Sequence, residues 1–405
     1  MSLRGWVIAC VSCFVVMNVA AQNNTTQQQT TSSDTQYIPL DYIALMREFE
    51  RASRPTFWQR MGDVISGKSK NDENSNFKFG GNVGVGYTQE TEAMFMATGV
   101  AQYALKDELP QSFTSLTGML SLNGSYRLRA IGDLWFSEKE RLEYNFGGGV
   151  MPVRFWGLGY DMADVNTRSK YTCGNFDAEF LYLRNIVAGL TLGVGVDLQY
   201  TDAYNFEPLA EGYLQSAGVN ERSAFISGAT LVAQYDGRRY SKSGSVRGYF
   251  LKAQGEFYPS FMSNQGVNLW NVEATMDYYQ PLWYGAVVAV DLYADMWAKN
   301  TPWLFWPKIG GDSRMRGYYY GRYIDRNMIT AQMELRQTVY GPFGCVVWGG
   351  VGSLFSSYSK FDFNKLLPNY GIGVRVAANG RTSFRVDYGF GRNSNGLVIN
   401  VNEAF

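Results

Sequence analysis

The sequence predicts an all-β fold, an antiparallel transmembrane β-barrel of sixteen strands preceded by a short helical segment. Three observations predict it. From Phe77 onward the hydrophobic pattern has period two over stretches of ten or more residues, longer than the strands of a soluble sandwich and long enough to cross a membrane at a tilt. The connections alternate between tight turns and long loops, the asymmetry of the two ends of an outer-membrane barrel. The third observation is composition: 44 glycines, 28 tyrosines, 25 phenylalanines and 10 tryptophans against 11 prolines suit many strands and interfacial aromatic girdles.

Taken in order, residues 1–21 read as a secretory signal peptide. Arg4 gives the positive start, an apolar run follows, and Val19, Ala20 and Ala21 form a small-residue cleavage site. Residues 22–36 are a polar low-complexity tether. Across 39–65, Leu40, Ile43, Met46 and Phe49, then Phe57, Trp58, Met61, Val64 and Ile65, recur at helical spacing on either side of Pro55. They predict two short amphipathic helices in a periplasmic segment that ends near residue 76. The barrel then occupies 77–405, with candidate strands at 77–88, 93–105, 113–123, 125–137, 141–153, 170–184, 187–203, 222–236, 247–259, 266–280, 285–298, 326–339, 343–354, 369–378, 381–392 and 396–405.

The seventh of these is the cleanest. Leu190, Leu192, Val194, Val196, Leu198 and Tyr200 share one face, and Asp197 and Gln199 lie on the other. In the eleventh, Asp291 and Asp295 point inward, and in the fifteenth Arg385 and Asp387 do so. Tight turns are expected at 137–140, 185–186 and 341–342, and long loops at 154–169, 204–221, 299–325 and 355–368. The connection at 237–246 is long for the tight-turn end.

Composition also limits function. The net charge is zero, which gives no electrostatic case for nucleic acid. Histidine is absent, which removes the Ser-His-Asp triad and the commonest metal ligand, so neither an enzyme nor a cofactor is expected. Cys173 and Cys345, beyond the leader, fall at ends of different strands and are expected to stay unpaired.

The most informative stretch is 307–336. A loop bearing Gly310, Gly311, Arg316, Gly317, Tyr318 and Arg322 runs into a strand on which Ile329, Ala331, Met333 and Leu335 alternate with Thr330, Gln332, Glu334 and Arg336. A loop of that length without secondary structure of its own is commonly functional.

These residues resemble the BamA/TamA-type bacterial surface antigen barrels. Met315, Arg316, Gly317 and Tyr318, followed by Tyr320, Gly321, Arg322 and Tyr323, carry the resemblance, together with the strand 327–336. Tyr235, Asp236, Gly237 and Arg238, followed by Val246, Arg247, Gly248 and Tyr249, are similar to the family's turn between strands eight and nine. The run 384–391 and the final strand ending in Phe405 add to it.

The resemblance implies that the loop folds back into the lumen and that an inward carboxylate holds Arg316. A guanidinium inside a barrel needs such a partner. Family members place an aspartate on strand thirteen for this purpose, and Gly350 stands there in this sequence. Glu334 is the first substitute, followed by Asp387 and Asp295. The resemblance also implies a lateral gate between the first and last strands, where Gly80, Gly84 and Gly86 weaken the first. Phe405 is implied to act as the aromatic end of an assembly signal.

Residues 22–76 are too short for the family's POTRA domain, so the periplasmic capture of clients is implied to come from partner proteins. The implied function is insertion or translocation of outer-membrane proteins or lipoproteins in the outer membrane, with the lipid bilayer as surroundings. A passive outer-membrane channel and a structural surface antigen are the alternatives.

Overall fold

A chain whose strands are apolar on one face and polar on the other must bury one face and find an apolar medium for the other. A closed barrel does both and leaves no wide edge. In the computed structural model, which describes residues 38–39, 77–106, 109–240, 246–378, 382–401 and 403–405, sixteen strands are found between Phe77 and Val401. They are β1 (Phe77–Thr88), β2 (Glu92–Tyr103), β3 (Ser112–Ser121), β4 (Tyr126–Trp135), β5 (Glu140–Phe155), β6 (Ser169–Val187), β7 (Leu190–Tyr204) and β8 (Ser223–Asp236). The second half comprises β9 (Val246–Tyr258), β10 (Leu269–Pro281), β11 (Ala286–Trp297), β12 (Asn327–Tyr340), β13 (Phe343–Phe355), β14 (Leu367–Ala378), β15 (Thr382–Gly391) and β16 (Ser394–Val401). Each pairs antiparallel with its neighbour in sequence, and β16 meets β1 to close the barrel.

The alternation sorts side chains by face. Phe79, Phe95, Leu120, Leu128, Val194 and Met333 lie exposed on the outside. Gln102, Gln254, Asn271, Asp291 and Thr330 are buried on the inside. A continuous apolar exterior around a polar interior is the inverse of a soluble core and suits a bilayer.

The long loops gather at one end and roof it. The helices α1 (Tyr160–Val165) and α2 (Pro208–Ser216) lie in them. α2 starts with Pro208, where a missing N–H costs nothing. Phe155, Tyr171, Ile226, Leu269, Trp303 and Ile324 pack together across this end. The short-turn end is more open. A cavity of about 1070 Å³ there is lined by Asp133, Arg141, Glu143, Asp236 and Arg238 among others.

Three elements differ from the sequence reading. β6 continues to Val187 with an irregularity near Asn185, so the turn falls at Ala188 and Gly189 rather than at 185–186. The positive φ of Gly189 makes it the better turn residue. In the long connection after β8, Arg239 and Tyr240 pair back onto Arg247 and Val246, so part of it extends the sheet. β16 spans Ser394–Val401 instead of 396–405, so Phe405 is not on the strand. The expected leader, tether and amphipathic helices lie outside the described residues, save that Ile38 and Pro39 pair antiparallel with Tyr240 and Arg239.

Candidate functional site

The connection between β11 and β12 folds into the barrel rather than away from it. Its two arms cross-bond as an irregular hairpin: Ile309 N–H donates to the Tyr323 carbonyl at 3.1 Å, and Gly321 N–H to the Ile309 carbonyl at 3.0 Å. Gly310, Gly311, Gly317 and Gly321 all have positive φ, as does Met315, so the path depends on left-handed residues. Tyr318, Tyr319 and Tyr323 are buried with Trp156, Tyr160 and Ile309. Burial pushes the hydroxyls of Tyr318 and Tyr319 up to about 12.

Arg316 sits at the apex of this loop and is fully buried. Its Nη1 donates to Asp387 Oδ2 at 2.6 Å, and its Nη2 donates to Glu334 Oε1. The guanidinium also lies over the Trp348 ring, 3.9 Å from the centroid. Both carboxylates are shared. Glu334 Oε2 accepts from Arg336 Nε at 2.7 Å. Asp387 accepts from Arg375 at 2.5 Å and from Arg385 at 3.1 Å. Strands β12, β14 and β15 thus place one charge network on the inner wall, because Glu334, Arg375, Arg385 and Asp387 all fall on inward positions.

Asp295 is the exception among the candidate partners. Register sets it beside Met328, near the start of β12 and far from Glu334, and it accepts from Asn271 Nδ2 at 2.8 Å instead. The arginine that reaches β11 is Arg314, which bonds Asp291 at 3.0 Å and lies 4.0 Å from the Tyr293 ring centroid.

The sequence reading missed how the loop's main chain is held. Gln332 Oε1 accepts from Met315 N–H at 2.8 Å, and Asn369 Nδ2 donates to the Arg316 carbonyl at 3.2 Å. Gly350 lies between these two side chains. A Cβ there would come within 2.7 Å of Asn369 Oδ1 and 3.0 Å of Gln332 Cγ. The position therefore has no room for an aspartate, and the loop is gripped by amides flanking it. Gly389 plays a similar part on β15, where a Cβ would come within 2.6 Å of the Arg316 carbonyl oxygen. Alternating glycines at 389 and 391 were the available signal, since an inward strand face without side chains leaves a groove for something else.

The loop also reaches both sides of the closure. Tyr320 N–H donates to Glu90 Oε1 at 2.7 Å, next to the turn joining β1 and β2. On the other side Arg322 Nη1 donates to the Asn393 carbonyl at 2.8 Å, and Ser394 Oγ donates to the Gly317 carbonyl at 2.8 Å. Tyr318 Oη accepts from Arg392 N–H at 2.7 Å and donates to the Pro368 carbonyl at 2.7 Å. Between these anchor points β16 and β1 share, among the described residues, the single pair Ile399↔Tyr87. The Gln89 amide adds a bond to the Asn395 carbonyl. On β1, Gly84 and Gly86 stand opposite Met96 and Met94, whose side chains cover them, and Gly80 stands opposite Val100.

The fold and the loop define a sixteen-stranded membrane-type barrel with its longest loop seated in the lumen. In structure the chain is similar to BamA from Haemophilus ducreyi lacking POTRA domains 1–3, with a TM-score of 0.56 and 13% identity over 82% of this chain and 70% of that one. It is also similar to CdiB from Escherichia coli, with a TM-score of 0.56 and 13% identity over 81% of this chain. CdiB from Acinetobacter baumannii gives a TM-score of 0.52 and 13% identity over 81% of this chain. The chain spans 63% and 60% of the length of these two CdiB chains. The barrel therefore has the fold of BamA and CdiB. By sequence, no family model and no curated protein matches.

Proposed function

We propose that this chain is an outer-membrane barrel of BamA/TamA-like type that inserts or translocates outer-membrane proteins or lipoproteins together with partner proteins. On this reading residues 1–21 are a removed leader, residues 22–76 lie in the periplasm, and residues 77–405 form the barrel in the lipid bilayer. The observation that carries it is the contrast between a seam that shares one residue pair among the described residues and a loop anchored on both sides of that seam. A barrel that only has to stand in the membrane gains nothing from a weak closure, whereas a barrel that opens sideways requires one.

The passive channel is the second reading, and the cavity at the short-turn end favours it. Against a wide pore stand the loop in the lumen and the apolar roof built around Phe155, Trp303 and Ile324. Depletion of the protein, followed by comparison of the outer-membrane and surface proteomes, tests the proposal. Loss of a defined set of outer-membrane proteins or lipoproteins is expected. An unchanged proteome, with steady single-channel conductance from the purified barrel in planar bilayers, would favour the channel.

A further inference from the structure

The outer wall carries a feature that neither the seam nor the lumen loop uses. One register row crosses six strands, from Ala233 on β8 through Ala253, Ala274, Ala294 and Ile329 to Ser353 on β13, each the cross-strand partner of the next. Ala233, Ala253 and Ala274 are exposed. The neighbouring outward row is larger, with Tyr235, Leu251, Met276 and Leu292 in register. On the other side stand the exposed Leu231 and Val272. Small side chains between large ones leave a trench, part of a cavity of about 680 Å³ whose lining runs on to Ser353 and Leu366. At about 4.8 Å per strand the row is roughly 24 Å long. Ala233 lies near the short-turn end of β8 and Ser353 near the loop end of β13, so the trench climbs obliquely toward the loops.

A stripe of alanines alone would accept any lipid, but its upper end is more particular. Ser353 faces outward by alternation with Val347 and Gly349. It is nevertheless 1% exposed, and its hydroxyl has no hydrogen-bond partner among the described residues. A buried hydroxyl without a partner costs free energy that a ligand oxygen would recover. A second outer groove of about 560 Å³, with Ala97 and Gly118 in its lining, has no such group. The loop after β13 marks the level of Ser353 in the bilayer. Its Leu366 lines the same cavity, and its Phe361 packs edge-on against Phe355. Tyr358 and Phe363 stand exposed on it, as aromatic residues do at a membrane surface. On the same loop Lys360 is exposed and forms no ion pair among the described residues.

We propose that the trench binds one acyl chain of the outer-leaflet glycolipid. Ser353 Oγ donates to the carbonyl where that chain joins its head group, and Lys360 serves a head-group phosphate. The flanking rows lie four residues apart, about 13 Å between backbones. Their side chains fill part of that width and leave less than the roughly 10 Å that a helix needs. A single alkyl chain fits. The loop end faces outward on the outer-membrane reading, and the leaflet there is built of glycolipid. The site rests on that placement and not on whether the barrel inserts clients.

Native mass spectrometry of the full chain in detergent tests this, with lipid A as the probe and a saturated phosphatidylethanolamine in a separate arm. One lipid A should stay bound per barrel, and phosphatidylethanolamine should be retained at least fivefold less. Ala253→Leu combined with Ala274→Leu fills the trench and should cut lipid A retention at least fivefold. Ser353→Ala and Lys360→Gln should each cut it at least threefold. Ala97→Leu, in the second groove, should leave it unchanged. Leucine keeps the outer face apolar, and only preparations that keep the heat-dependent gel shift are scored, so lost folding is not read as lost binding. Absence of bound lipid A, equal retention of the two lipids, or retention indifferent to filling the trench would overturn the proposal. So would an equal loss with Ala97→Leu. The readout is lipid bound to purified barrel and not client assembly, so its failure leaves the insertion reading standing.

Discussion

The wall formed by β12–β15 and the seam between β16 and β1 belong to the same sheet, yet they are built on different terms. β12 pairs with β13 from Asn327↔Phe355 to Tyr340↔Phe343, and behind that ladder lie Arg316, Glu334, Trp348 and Asp387. Among the described residues the seam has Ile399↔Tyr87. What it lacks in ladder is partly supplied by loop contacts at Glu90, Asn393 and Ser394 and by the Gln89 amide. The comparison teaches that one loop, seated on the strong wall, bridges to both sides of the seam. Loosening the seat should therefore loosen a seam it does not belong to.

The largest effect is expected from Arg316→Ala. Removing one partner of a buried pair leaves two carboxylates short of a cation, which costs about 3–5 kcal/mol. The loop should become sensitive to protease, and the unheated barrel should lose its gel shift at a lower temperature. An intact loop in this variant would break the comparison at its root.

The carboxylates sharpen it. Asp387 accepts from three arginines, 316, 375 and 385, while Glu334 accepts from two, 316 and 336. Asp387→Asn should accordingly cost more than Glu334→Gln, each within about 1.5–3 kcal/mol for a charged hydrogen bond. Asp295→Asn should leave the loop seated, because Asp295 bonds Asn271. Thermal midpoints of the gel shift would rank the three.

Packing gives a smaller effect. A methyl at Gly389 would meet the Arg316 carbonyl, whereas one at Gly118, on the outer face of β3 between the exposed Leu116 and Leu120, would meet nothing nearer than Leu128 Cδ1 at 3.9 Å. Gly389→Ala should cost about 1–3 kcal/mol by overpacking, and Gly118→Ala close to nothing. Equal midpoints for the two would mean that the seat tolerates displacement.

Much of this was legible in the sequence, and the reasons for the remainder are physical. Period two identifies a strand and its faces, which is why the sixteen strands and the inward set of Asp291, Glu334 and Asp387 can be read directly. It cannot tell when a chain leaves the sheet. Residues 403–405 lie past the end of β16, where Arg375 bonds Glu403, Arg336 bonds the Phe405 main-chain oxygen and the Phe405 ring packs beside Tyr279, and those partners lie far off in sequence. Gln332 and Asn369 look like ordinary lumen amides until Gly350 brings them to one spot. Glycine reports that space is needed and is silent about what fills it.

The smallest effect concerns pH. Tyr318 has its hydroxyl raised to about 12 by burial, above the ordinary value of about 10. A raised value means that the folded loop holds the proton more tightly than the unfolded chain does. Its contribution is therefore complete below about pH 10 and is lost as pH rises through the folded value. The gel-shift midpoint should fall in that window, and Tyr318→Phe should flatten the fall. A profile unaltered by the substitution would assign the alkaline loss to other groups.

The central claim is that the seam opens in use. It is tested most directly by locking the pair Ile399↔Tyr87, with Tyr87→Cys and Ile399→Cys in a chain lacking Cys173 and Cys345. Oxidised in cells, the locked barrel should stop supporting growth or the level of some outer-membrane protein, and reductant should restore it. A locked barrel that behaves as the unaltered protein, while conducting ions through its lumen, would contradict the account.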